Sequence, residues 1–244
     1  MATHSVFKRG EKRLRDPDYL TLPFYWVAEK EVGSALADKE WDAKWLLGWR
    51  DVTDARASAR TLTATVIPRA AANDGFLLML PKAGERQCAA LLADLCSLVC
   101  DFVARQKVGG LHLKYFTMKQ FPVLAPQYYS EADLDFIVPR VLELTYTAHD
   151  LKPWAEDLGF DGPPFPWNPE RRAALRAELD AYYARLYGLT RDELRYILDP
   201  ADVIGADYPS ETFRVLKNNE IKQFGEYRTQ RLVLEAWDQL SKAP

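Results

Sequence analysis

Between residues 84 and 106 seven apolar side chains, Leu91, Leu92, Leu95, Leu98, Val99, Phe102 and Val103, recur at three-and-four spacing around most of a helical circumference. A helix this apolar must be covered on nearly every side. The spacing therefore predicts one long helix packed deeply on a sheet, ended by Gly109 and Gly110. Four segments supply candidate strands: 21–29, 45–53, 61–69 and 76–81 are rich in β-branched and aromatic residues and bounded by turn formers. A further strand is expected after the glycine pair, with Leu111, Leu113, Tyr115 and Thr117 on one face and His112, Lys114 and Phe116 on the other. Pro122 and Pro126 stop it.

Beyond residue 130 the pattern becomes helical. Ser130 with Asp133 three residues on is a capping-box-like start, and Pro139 is expected to split the following helix or to begin a second one at Arg140. Residues 152–169 hold five prolines, two glycines and two tryptophans, a packed connector whose aromatics need burial. Asn168 and Pro169 open a helix that Gly188 closes, Thr190 and Glu193 cap a short one, and 226–241 form a last amphipathic helix. The fold class is α+β: a small twisted mixed β-sheet with a long packed helix, followed by a helical C-terminal region. Two regions are expected, 1–130 and 131–244, packed together as one unit.

Charge separates the two regions. Residues 1–130 carry 18 Lys and Arg against 14 Asp and Glu, whereas residues 131–244 carry 14 against 21, although the whole chain is only at −3. Within the first region, residues 102–130 contain Arg105, Lys107, Lys114 and Lys119 and no acid. A second acid-free run, 55–73, contains Arg56, Arg60 and Arg69 interleaved with Ser58, Thr61, Thr63 and Thr65. Cations without neighbouring carboxylates suit a polyanion, because each phosphate contact releases condensed counterions. Arginine and short hydroxyls are also the residue types that meet phosphates and guanine edges.

The motifs of several enzyme classes are missing. There is no GxGxxG and no GxxxxGK[ST], and the glycine pair precedes an expected strand instead of opening a helix. The double proline in 162–165, GPPF, lacks the Asp or Asn that a base-holding [DN]PP[YF] tetrapeptide needs. Asp42 and Lys44 match the acid-x-lysine pair of a magnesium nuclease by type, but stand in a charged turn before a strand. No GxSxG is present, and the three histidines suggest no catalytic pairing. Cys88, Cys96 and Cys100 lie in one apolar stretch without a CxxC, which points to core packing in a reducing cytoplasm and not to a disulfide framework or a metal site. The opening HSVFKRGEKRLR is too charged for a signal or anchor, and 88–104 falls short of a membrane span.

Taken in order, several blocks resemble the carboxy-terminal target-recognition region of type IIG-like restriction-modification and phage-defence adenine-N6 DNA methyltransferases. They are GWRDVTDARASARTLTATVIPR (48–69), VARQKVGGLHLKYFTMKQFPVL (103–124), IVPRVLELTYTAHDLKPWAEDLG (137–159), RAELDAYYARLYGLTRDELRYILDP (176–200) and FGEYRTQRLVLEAWD (224–238). The glycine pair and KQFPV block is similar also to the target-recognition domains of type I specificity subunits. The resemblance spans about residues 20–240. It implies a double-stranded DNA recognition module without a catalytic core of its own. S-adenosylmethionine and the NPPY-type tetrapeptide are expected in a methyltransferase domain in cis or in trans, and no cofactor or metal in this chain. The matching polar positions are Arg56, Arg60, Arg69, Gln106, Lys107, His112, Lys114 and Lys119, to which the acid-free run adds Arg105. Two alternatives are a protein-interaction scaffold of a defence complex and a magnesium nuclease built on Asp42 and Lys44.

Overall fold

The computed structural model describes residues 13–21, 25–208 and 212–242. Most of the charged opening segment, the Leu22–Phe24 part of the first expected strand, and 209–211 lie outside the described residues. The fold is α+β. A helix, α1 (Glu29–Ala37), is followed by strands β1 (Trp45–Arg50), β2 (Ala64–Pro68) and β3 (Phe76–Met79), which form one sheet in the order β2-β1-β3. Both ladders are antiparallel, so the expected mixed sheet is corrected to an antiparallel one. The cause is connectivity: each link between the strands is a loop, and the chain supplies no crossover helix between them. The central strand β1 is buried from Trp45 to Trp49 because it has a neighbour on each edge and layers on both faces. At Gly48 the approach is so close that an added Cβ would lie 2.4 Å from the Leu77 carbonyl oxygen.

The expected strand at 21–29 does not form in the described part, where α1 begins at Glu29. The expected strand after the glycine pair shrinks to one bridge. Thr53 N–H donates to Leu111 O and Leu113 N–H to Asp51 O, after which the chain turns into the single helical turn α4 (Tyr115–Met118). That switch puts Leu113 fully inside but leaves Leu111 and Tyr115 substantially exposed, so the alternating faces do not persist.

The long helix is also two. α2 (Glu85–Cys96) and α3 (Leu98–Lys107) meet at Ser97 with a 59° bend. Ser97 is extended and its hydroxyl accepts from Cys100 N–H, the geometry of an N-cap placed in mid-run. The backbone groups opened by the break are met from elsewhere: Leu98 N–H donates to Asp180 Oδ1 at 2.7 Å, and Arg60 Nη1 donates to Cys96 O at 3.4 Å. Among the described residues no single helix is long and apolar enough to cross a membrane, and this bent pair is packed within the protein core.

After a 3₁₀ turn at Pro126–Tyr128, helix α5 (Glu131–Thr145) starts from the full Ser130–Asp133 capping box. It continues unbroken through Pro139, against the expected split. Pro139 and Asp135, whose carbonyl loses its partner, are both exposed, so water can meet that carbonyl. Leu134, Ile137, Val138 and Val141 meanwhile hold the inner stripe in the core. The connector then packs as expected: α6 (Lys152–Asp157) buries Trp154, and Phe160 stacks on Phe165. Helices α7 (Pro169–Leu186), α8 (Arg191–Leu198), α9 (Pro200–Ile204), α10 (Arg214–Phe224) and α11 (Arg228–Leu240) complete the chain. The main core joins Trp45, Trp49 and Leu92 from the first region to Ile137, Trp154 and Tyr183 from the second.

Candidate nucleic-acid interface

Just past the C-terminal end of β1, one acid gathers two of the predicted contact residues, His112 and Lys114. Asp51 follows the strand, is almost wholly buried, and is fixed by backbone bonds on both sides, its N–H to Gly75 O and its carbonyl to Leu113 N–H. Its Oδ2 takes His112 Nδ1 at 2.5 Å and Lys114 Nζ at 3.0 Å. Burial pushes the Asp51 pKa up, but the hydrogen bonds and charges of His112 and Lys114 outweigh it, so the carboxyl is held below its usual value. The ionised Asp51 makes Nδ1–H the donor, which leaves His112 Nε2 without a partner among the described residues. Asp51 therefore neutralises part of the local charge and orients two of the predicted contact residues.

Arg105 has a different job from the one expected of it. Its side chain is only 6 % exposed, and all five of its N–H donors are used. Nε meets Asp101 Oδ2, Nη1 meets Ala55 O and Thr212 O, and Nη2 meets Ser58 O and Ala59 O. Phe213 covers the guanidinium at 4.7 Å. No donor remains for a phosphate, so Arg105 is corrected from a contact to a clamp that holds loop 55–59 on α3. Asp101 completes the clamp by accepting from Thr61 and Leu62 N–H. Because Lys107 is the last residue of α3, the clamp sets the Arg56 loop beside it.

What this end of the sheet presents is basic and partly aromatic. Arg56 is 87 % exposed, with Asp54 no nearer than 3.9 Å. Gln106, Lys107 and Lys119 are exposed and have no side-chain hydrogen bond or ion pair to any described residue. Gly109 and Gly110 have open space where a Cβ would be, so backbone can be approached closely there. Phe116 is 71 % exposed, and Leu111, Val52 and Tyr115 are exposed as well. Tyr115 is held by its hydroxyl on Leu78 O and by its ring edge on Trp49. The sequence reading did not single out Arg50, exposed at the end of β1, or Asp51; their place was set by where a six-residue strand stops.

Two predicted residues are elsewhere. Arg60 pairs with Asp180 at 3.3 Å inside a cavity against α7. Arg69 follows Pro68, which pairs with Trp45, so it sits at the opposite end of the sheet from Arg50, beside Gly33 of α1. Asp42 and Lys44 are exposed just before β1, at the same far end. Among the described residues no group of three or more His, Cys, Asp and Glu is placed to hold a metal ion. Compared with known proteins, the chain matches no family model, no curated protein and no solved structure.

Proposed function

We propose that this chain is a double-stranded DNA recognition module that serves an adenine-N6 DNA methyltransferase or restriction-modification system, with S-adenosylmethionine and the catalytic residues in a methyltransferase domain in cis or in trans. One observation carries the reading: buried Asp51 orders His112 and Lys114 just past the end of β1, in a part of the chain where Arg56, Gln106, Lys107, Lys119 and Phe116 are all exposed. Lysines and Arg56 position the phosphate backbone, while Gln106 and His112 have the donors and acceptors to read base edges. The link to adenine-N6 methyltransferases is proposed from the likeness of the sequence blocks quoted above.

The test is duplex affinity by fluorescence anisotropy over a series of salt concentrations. Lys107→Ala and Lys119→Ala each weaken binding and reduce the slope of log K against log salt by about 0.9, the value for one lost phosphate contact. Lys114→Ala has a smaller effect, since its ammonium is shared with Asp51. Unchanged affinity and slope in both Lys107→Ala and Lys119→Ala would overturn the proposal.

A further inference from the structure

A cavity of about 370 Å³ opens between β2, the α2–α3 break, α5 and α7. Its apolar wall is made by Leu62, Ala64, Leu92, Val141, Leu144 and Leu179. Opposite stand three arginines, Arg60, Arg172 and Arg176, and one acid, Asp180. Arg172, Arg176 and Asp180 are spaced by four along α7, so one helical face carries all of them.

The cations exceed what the protein itself balances. Asp180 is committed to Arg60 and to Leu98 N–H. Arg172 lies 3.8 Å over the Trp167 ring and donates Nη1 to Leu144 O, but its buried Nε has no partner. Arg176 makes no hydrogen bond or ion pair with any described residue. The nearby acids are engaged elsewhere, Glu143 by both arms of Arg171 and Glu220 by the backbone and hydroxyl of Thr229. Burial and the Arg176 charge push Arg172 down to about 10, and burial and Arg60 push Arg176 down as well. Both stay cationic at neutral pH. Like charges four apart on a helix also oppose each other, and Asp180, four residues beyond Arg176, offsets only part of that repulsion.

We propose that this cavity binds a small organic phosphate, with the phosphate against Arg172 and Arg176 and an apolar or ring portion along Leu92, Val141 and Leu144. A surplus of two positive charges matches a phosphate monoester, which is close to a dianion at neutral pH. Guanidinium groups engage phosphate through paired, charge-assisted hydrogen bonds, and the Arg172 Nε–H supplies a donor that is buried and unused. The volume is at the lower end for ligand pockets and suits a molecule of mononucleotide size. Such a phosphate has two sources, a free mononucleotide or the terminal phosphate of a nucleic-acid strand.

Calorimetric titration of the full chain distinguishes them with four probes: deoxyadenosine monophosphate, deoxyadenosine, and one short oligonucleotide with and without a 5′-phosphate. The phosphate-bearing probes bind and the phosphate-free ones bind about tenfold more weakly or not at all. Arg176→Gln, which is partly solvent-exposed and so leaves the fold intact, weakens the bound probe by about tenfold. Lys107→Ala leaves it unchanged, which separates this site from the proposed duplex-binding face. Preference for the mononucleotide identifies a free ligand, and preference for the 5′-phosphorylated strand identifies a strand end. Equal binding of deoxyadenosine and its monophosphate, no binding of either phosphate-bearing probe, or insensitivity to Arg176→Gln would overturn the proposal.

Discussion

Arg105 shows how far a residue's type can be from its role. In the sequence it is one of four cations in an acid-free window, indistinguishable there from Lys107. In the fold its planar fork meets four carbonyls and a carboxylate, a geometry that lysine cannot copy because an ammonium has three donors. Arg105→Lys is expected to lower unfolding free energy by about 2–4 kcal/mol, measured by urea denaturation, since at least two buried acceptors lose their partner. A midpoint within error of the unsubstituted protein would refute the clamp. Arg60 teaches the same lesson: its partner, Asp180, is 120 residues away, and no local pattern announces it. The Arg172, Arg176 and Asp180 spacing, by contrast, was present in the sequence, but a four-residue repeat of charges reads as a solvated helix face until the opposing wall is known.

Elements were legible where local chemistry decides them. The Ser130–Asp133 and Thr190–Glu193 boxes and the Asn168 cap all form, because a cap is settled within one turn. Three of the strands were found for a similar reason, their β-branched and aromatic content. The failures are those in which distant groups outvote periodicity. Apolar spacing continues unbroken through Ser97, yet Asp180 and Arg60 satisfy the backbone groups of a bend there. Gly48 was read as an ordinary member of a strand, although β1 requires it: Ala would set its Cβ 2.4 Å from Leu77 O and 2.7 Å from a Phe76 ring carbon. Gly48→Ala is expected to cost about 2–3 kcal/mol in thermal or chemical unfolding, against the small gain that Ala usually brings to a strand interior. Neutral or increased stability would mean that β1 and β3 are not so close.

On the scale of the whole molecule, buried acids fasten the first region to the second. Asp94 on α2 accepts from Leu124 N–H at 2.9 Å and from the Tyr187 hydroxyl at 2.8 Å. Burial pushes its pKa up to about 6, with those hydrogen bonds pulling the other way. The folded protein therefore holds a proton that the unfolded chain releases near 3.8. Stability from Asp94 is complete below that value and is lost as pH rises to about 6 and beyond, a difference of roughly 3 kcal/mol. Urea unfolding of the protein and of Asp94→Asn from pH 4 to 7 should diverge by about that amount, with the variant the flatter curve. Parallel curves would place the ionisation of Asp94 outside this window. The same fastening has a consequence during synthesis. Tyr183 closes the core over Ala90, and the Trp45 indole waits for Asp157. At about 5–20 residues per second, the roughly 50 residues from Lys107 at the end of α3 to Asp157 take about 3–10 s. During that time, α2 and α3 have the sheet but not the second region to pack against, so the pace of translation through the second half bears directly on how much protein reaches the folded state.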